Sequence, residues 1–210
     1  MKNILTKTII LIFFTAIVFE GCVSLSQKKF ESISFYKSNE YNNTRVQRVL
    51  LTPFTYETSR EKVIKEVTEA FFVVLQKSVK FETVLPRAFR DITLQQNDLW
   101  DKGIVKAETI IEAKKIFKVD AIIFGTITQY NPYEPQVLGV KVSMFSTTSG
   151  RVIWSSDAIF DSSESSVVQL VKNYYKDNFQ KKQSLFDWKM ILLSTKRYAQ
   201  FVAHNIIATL

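Results

Sequence analysis

The sequence predicts an α+β protein: one mixed sheet of about five strands with helices packed on it, in the order β-α-β-α-β-β-β-α-α. Three observations predict this. Short β-branched apolar runs interleave with stretches whose apolar residues recur at three and four residues, so strands alternate with helices. Two adjacent segments, 138–145 and 152–160, alternate in polarity on either side of Thr147-Thr148-Ser149-Gly150, as a hairpin does. The composition is globular, with 46% hydrophobic and 23% charged residues in a chain of 210, enough to bury a core.

Each element has its own signal. Residues 46–54 hold Val49-Leu50-Leu51, a short apolar run stopped by Pro53, which reads as a buried strand. Thr58-Ser59-Arg60-Glu61 matches a capping box, and the stripe Val63, Val67, Ala70, Phe71, Val74, Ser78 then predicts a helix. Residues 81–85 form a second short strand ended by Pro86. Residues 87–105 have no clear period. A second helix over 106–117 turns Ala107, Ile110, Ile111 and Phe117 inward. Residues 119–128 are apolar on both faces, as a central strand requires, and Gly125 within them implies a close approach by a helix or backbone. The first and third strands are separated by helical crossovers and are expected to be a parallel pair. In the hairpin, Leu138, Val140, Val142, Met144, Val152, Trp154, Ala158 and Phe160 share one face, and Asp157 faces outward. Asp161-Ser162-Ser163-Glu164 caps a helix reaching to 179, and a last helix covers 186–208 with Trp188, Ile191, Leu192, Tyr198, Ala199, Val202 and Ile206 inward.

The N-terminus carries targeting information. Lys2 and Lys7 precede an apolar run at 9–19, eleven residues long. That is too short to span a bilayer and fits the apolar region of a signal peptide. Glu20-Gly21-Cys22 follows, with the only Cys of the chain. The arrangement resembles the lipobox of bacterial lipoproteins, although Glu20 stands where a small or aliphatic residue is usual and Phe19 where Leu is usual. The resemblance implies that 1–21 is removed and that Cys22 becomes the N-terminus, bearing acyl chains such as palmitate. Val23, rather than Asp, after the Cys implies outer-membrane placement. Residues 22–45 then read as an acylated end and flexible tether, ~80 Å long if fully extended, whose scattered aromatics hint that part of it lies on the domain. Residues 46–210 read as a single globular domain.

Composition narrows the chemistry. One Cys and one His cannot build a zinc site, and no internal disulfide can form. No cofactor or metal is expected, and export makes nucleic acid a poor partner. His204 falls on the polar face of the last helix with Lys196, Arg197 and Gln200, where a solvated residue is the simpler reading. Asp120, ahead of the central strand, suits either a turn or a carboxylate in a site, the turn being simpler. Trp100, Trp154 and Trp188 suit core packing or a groove. Net charge is +8, and residues 163–210 hold seven bases against three acids. Lys172, Lys176, Lys181 and Lys182 form a basic stretch there. A solvated helical face is its plainest explanation; a surface for an acidic protein or for anionic lipid heads is the sharper one.

Three motifs carry a resemblance. They are Leu50-Leu51-Thr52-Pro53-Phe54 before a capped helix, Lys118-Val119-Asp120-Ala121-Ile122-Ile123-Phe124-Gly125-Thr126-Ile127, and Ser149-Gly150-Arg151-Val152-Ile153-Trp154. Across about residues 46–160 the chain resembles the periplasmic lipoprotein superfamily of the curli-secretion lipoprotein, the penicillin-binding-protein activator lipoproteins and the amino-terminal domain of the Tol propeller protein. The resemblance implies an α+β domain tethered to the outer membrane that binds proteins and does not catalyse. A curli-type pore is not expected, since the one alternating hairpin is needed by the domain's own sheet. The expected role is an envelope assembly or regulatory factor on a lipid anchor, with Lys172, Lys176, Lys181 and Lys182 as docking face and homo-oligomerisation left open. An envelope enzyme with an unrecognised site is the alternative.

Overall fold

Apolar strands that are buried on both faces need a layer on each side, and the helices supply it. The computed structural model describes residues 33–43, 45–58, 60–77, 81–86, 105–179 and 187–210. Its strands are β1 (Ser34–Lys37), β2 (Arg48–Leu51), β3 (Thr55–Tyr56), β4 (Glu82–Val84), β5 (Ala121–Asn131), β6 (Val137–Ser146) and β7 (Val152–Asp161). Its helices are α1 (Asn39–Asn43), α2 (Glu61–Lys77), α3 (Ala107–Phe117), α4 (Ser165–Phe179), α5 (Lys189–Leu192) and α6 (Thr195–Ile207). They form one mixed sheet in the order β1-β7-β6-β5-β2-β4, with β3 also paired to β5. The predicted α+β class holds, and the sheet is larger than five strands. None of the helices described is long and apolar enough to cross a membrane.

β5 is the spine. It pairs antiparallel with β6 and parallel with β2, placing Val49, Leu50 and Leu51 opposite Ala121, Ile122 and Ile123, as expected of the first and third strands. Alternation sends Ala121, Ile123 and Ile127 into the main core, beneath α2, α4 and α6, and sends Ile122 and Phe124 to the other face, beneath Ile110 and Ala113 of α3. Pro53 cannot extend the β2 ladder, and pairing resumes at Thr55 opposite Thr126. Four residues on one strand thus match three on the other, and Phe54 turns inward. Its ring lies on Gly125, where an added Cβ would come within 2.3 Å of it. The close neighbour that Gly125 implied is therefore a side chain. Phe54 is fixed further by its backbone N–H, which donates to Thr68 Oγ1 at 3.0 Å, and by the Phe71 ring at 4.6 Å.

Several expectations are corrected. Within the expected tether 22–45, Ser34–Lys37 is a strand on β7 and α1 follows it. The edge of β7 offers unpaired backbone groups, and β1 satisfies them. Lys37 Nζ sits 4.4 Å above the Tyr41 ring. The cap of α2 is Arg60, whose carbonyl accepts from Ile64, so Thr58 stays in the turn before it. On α3, Ala113 is buried and Ile111 is 65% exposed, because the covered stripe runs through Thr109, Ile110 and Ala113. In β7 the register shifts at Ile153: Met144 faces Trp154, but Phe145 faces Val152. That bulge moves Val152 to the α3 face and lets Ile153 and Trp154 both enter the main core. The last helix is two helices. Ser194 is extended, and its Oγ accepts from the Arg197 N–H, which starts α6 afresh.

Gly125→Val is expected to destabilise the fold by about 1–3 kcal/mol through overpacking, seen as a lower urea midpoint at unchanged slope. The cost should shrink in a Phe54→Leu background, because the two positions share one space. Equal costs in both backgrounds would show that the ring does not hold the notch.

Candidate docking surface

α4 follows directly from the end of β7. Asp161 Oδ1 accepts from the Ser163 N–H at 2.8 Å and turns the chain, and the first helical bond runs from Val168 to the Glu164 carbonyl. Val167, Val171 and Tyr174 lock one side of the helix into the main core. The helical period then leaves Gln169, Lys172, Asn173, Lys176 and Asp177 exposed. Lys172 Nζ lies 4.9 Å from the centre of the Trp188 ring, a cation–π contact that joins α4 to the start of α5. Lys172 and Lys176 are thus presented on a rigid helix. Lys181, Lys182, Cys22 and Trp100 lie outside the described residues.

The residues weighed for catalysis are used otherwise. Asp120 Oδ2 accepts from the backbone N–H groups of Gln47 and Arg48 at 2.9 and 3.0 Å. Its own N–H donates to the Arg48 carbonyl, and its carbonyl accepts from the backbone N–H and hydroxyl of Thr147. It ties the start of β5 to the start of β2 and to the β6–β7 turn. Its carboxylate and the His204 ring are not brought together: His204 packs on α4, with its ring 5.0 Å from that of Tyr174. Partial desolvation holds the imidazole below its ordinary value near 6.5; Asp177 opposes this and Lys77 adds to it. Trp154 is a core residue, its indole N–H donating to Thr209 Oγ1 at 3.1 Å. Among the described residues, no three His, Cys, Asp or Glu side chains gather as a metal site.

Tyr198 and Thr195 show how polar groups are handled where the sheet meets the helices. The Tyr198 hydroxyl donates to the Phe160 carbonyl at 3.1 Å, and burial, helped by Asp161, pushes its ionisation far up. Thr195 on α6 donates to Glu66 Oε2 on α2 at 3.1 Å. Sequence reasoning missed one exposed feature here. Treating 186–208 as one helix hid the elbow between α5 and α6, where Leu193 is 61% exposed. The signal for it was Ser194, a good capping residue ahead of Thr195.

No protein-family model matches this chain, and no curated protein matches its sequence. Among solved structures it is similar to the hypothetical protein CT253 from Chlamydia trachomatis, at 14% identity over 78% of this chain and 94% of that one, with a TM-score of 0.50. It is also similar to lipoprotein GNA1162 from Neisseria meningitidis, at 16% identity over 65% and 99% of the two chains, with a TM-score of 0.41. A third is the LpoB C-terminal domain from Escherichia coli, at 13% identity over 55% and 84%, with a TM-score of 0.38. At such identities what is shared is the fold.

The depressed His204 sets a pH dependence. Between its folded value and about 6.5, the unfolded chain binds more protons than the folded one. Stability should therefore rise as pH increases through that window and level off above it. His204→Gln should remove this increment, measured as the difference in urea midpoint at either end of the window. An unchanged slope in the variant would assign it to other groups.

Proposed function

We propose that the mature protein is a lipid-anchored lipoprotein of the bacterial envelope that binds other envelope proteins as an assembly or regulatory factor and does not catalyse a reaction. One observation carries the binding reading: α4 holds Lys172 and Lys176 outward on a helix whose opposite side is locked in the core. Lys181 and Lys182 follow in sequence and extend the same charge. A fixed basic face of this kind steers and orients an acidic partner, and its effect weakens with salt. The engagement of Asp120 with three segments of backbone speaks against the enzyme reading, since that carboxylate acts as a structural tie. The anchor follows from Cys22 behind an eleven-residue apolar run, and Val23 favours the outer membrane, facing the periplasm.

Two measurements test this. Mass spectrometry of protein extracted from envelopes should find Cys22 as an acylated N-terminus; an intact Met1 would refute the anchor. Changing Lys172, Lys176, Lys181 and Lys182 to Glu should leave the fold intact; Lys172 and Lys176 are exposed, and exposed substitutions each shift stability by within ~0.5 kcal/mol. It should reduce capture of crosslinked envelope proteins, and capture by the unaltered chain should fall as salt rises. Equal capture by both chains would make the charge a solubility feature only.

A further inference from the structure

The elbow between α5 and α6 joins an exposed apolar side chain to three cations. Leu193 closes the last turn of α5, its N–H donating to the Lys189 carbonyl at 3.1 Å. Lys189 lies one turn before it, and Lys196 and Arg197 lie three and four residues after it. All four side chains are exposed. Residues 187–210 hold these three bases against one acid, Asp187. Beside the start of α6, Glu66 accepts from Thr195, and Asp161 accepts from the Ser163 N–H. Among the described residues none of the three cations is in an ion pair.

The topology puts this elbow at the end of the molecule where the N-terminal segment enters. β1 runs antiparallel to β7, with Ser34 opposite Asp157 and Lys37 opposite Trp154. Beyond Asp157, Phe160 accepts from Tyr198 in the first turn of α6. At the other end, Trp154 bonds Thr209, just past the close of α6. The start of α6 therefore lies toward Ser34. Lys176, near the close of α4, lies toward the opposite end, because the ring of Tyr174 in that turn is 5.0 Å from that of His204, late in α6.

We propose that this elbow is a lipid-docking site, with Leu193 inserted among anionic phospholipid headgroups and Lys189, Lys196 and Arg197 resting on their phosphates. The inference depends on the anchor at Cys22. Residues 22–32 span at most ~40 Å, so the anchor keeps the domain beside the bilayer, and its tether joins the domain at the elbow's end. A protruding apolar tip ringed by bases suits an interface with apolar depth and negative charge. Each base near an anionic surface favours it roughly fivefold, so three give a preference on the order of a hundredfold over a neutral one. The same placement leaves Lys176, toward the other end, for a protein partner.

The test uses acylated Leu193→Cys protein, extracted from envelopes, labelled with an environment-sensitive thiol dye and reconstituted into vesicles of phosphatidylcholine alone or with phosphatidylglycerol. An acylated Cys22 cannot react, so the dye reports position 193. The unsubstituted chain, treated alike, should stay unlabelled; labelling there would overturn the anchor, and with it the docking site. On anionic vesicles the emission should shift to the blue and rise several-fold, and on neutral vesicles it should match that in water. Salt should reverse the rise while the protein stays attached. Lys189→Glu, Lys196→Glu and Arg197→Glu together should abolish it at an unchanged unfolding midpoint. Attached protein with the same emission on both vesicle types would overturn the proposal. So would a rise that survives salt and charge reversal, which would show shielding by something other than anionic headgroups.

Discussion

The parallel pairing of β2 with β5, pinned at one end by Asp120, is the constraint on which the rest of the fold depends. A residue opening a strand buried on both faces has few routes by which to satisfy its polar groups. Asp120 uses its backbone N–H, its carbonyl and Oδ2, reaching two N–H groups and one carbonyl near the start of β2 and the turn after β6. This fixes register, and a slip of one residue would turn Ile122 and Phe124 into the space built for Ile123 and Gly125. Arrival of the Phe54 ring in the Gly125 notch then fixes the far end of the pair and carries the contact up to Phe71 of α2.

From that spine the two layers follow unequally. α3 covers the part of one face formed by Leu50, Ile122, Phe124 and Phe145, whereas α2, α4, α5 and α6 share the larger core on the other. The chain ends are drawn into this arrangement. β1 closes the edge of β7, and Lys37 Nζ hydrogen-bonds the Leu210 carbonyl. Since α4 and α6 each bury one side, their charges can only face outward, and the fold rather than local sequence separates them. Of the α4 bases, Lys172 lies over the Trp188 ring at the start of α5, close to the elbow, whereas Lys176 lies toward the other end of the domain.

Periodicity and punctuation were sufficient by themselves for the α+β class, the parallel pairing of the first and third strands, the hairpin, the helices α2, α3 and α4, and the outward placement of Lys172, Lys176 and Asp157. These are local properties: side-chain period follows backbone geometry, and Pro, Gly and Ser mark where that geometry ends. Tertiary structure decided what depends on distant partners. Ser34–Lys37 has no strand pattern of its own and became a strand because the edge of β7 lay open. Ile111 and Ala113 exchanged roles because the sheet, and not the apolarity of the helix, selects the covered stripe. The bulge at Ile153 moved Val152 to the other face, and Asp120 became a tie because folding brought Gln47 and Arg48 to it across more than seventy residues. Hydrogen bonding between segments so far apart leaves no period in the sequence, so only the folded chain reveals it.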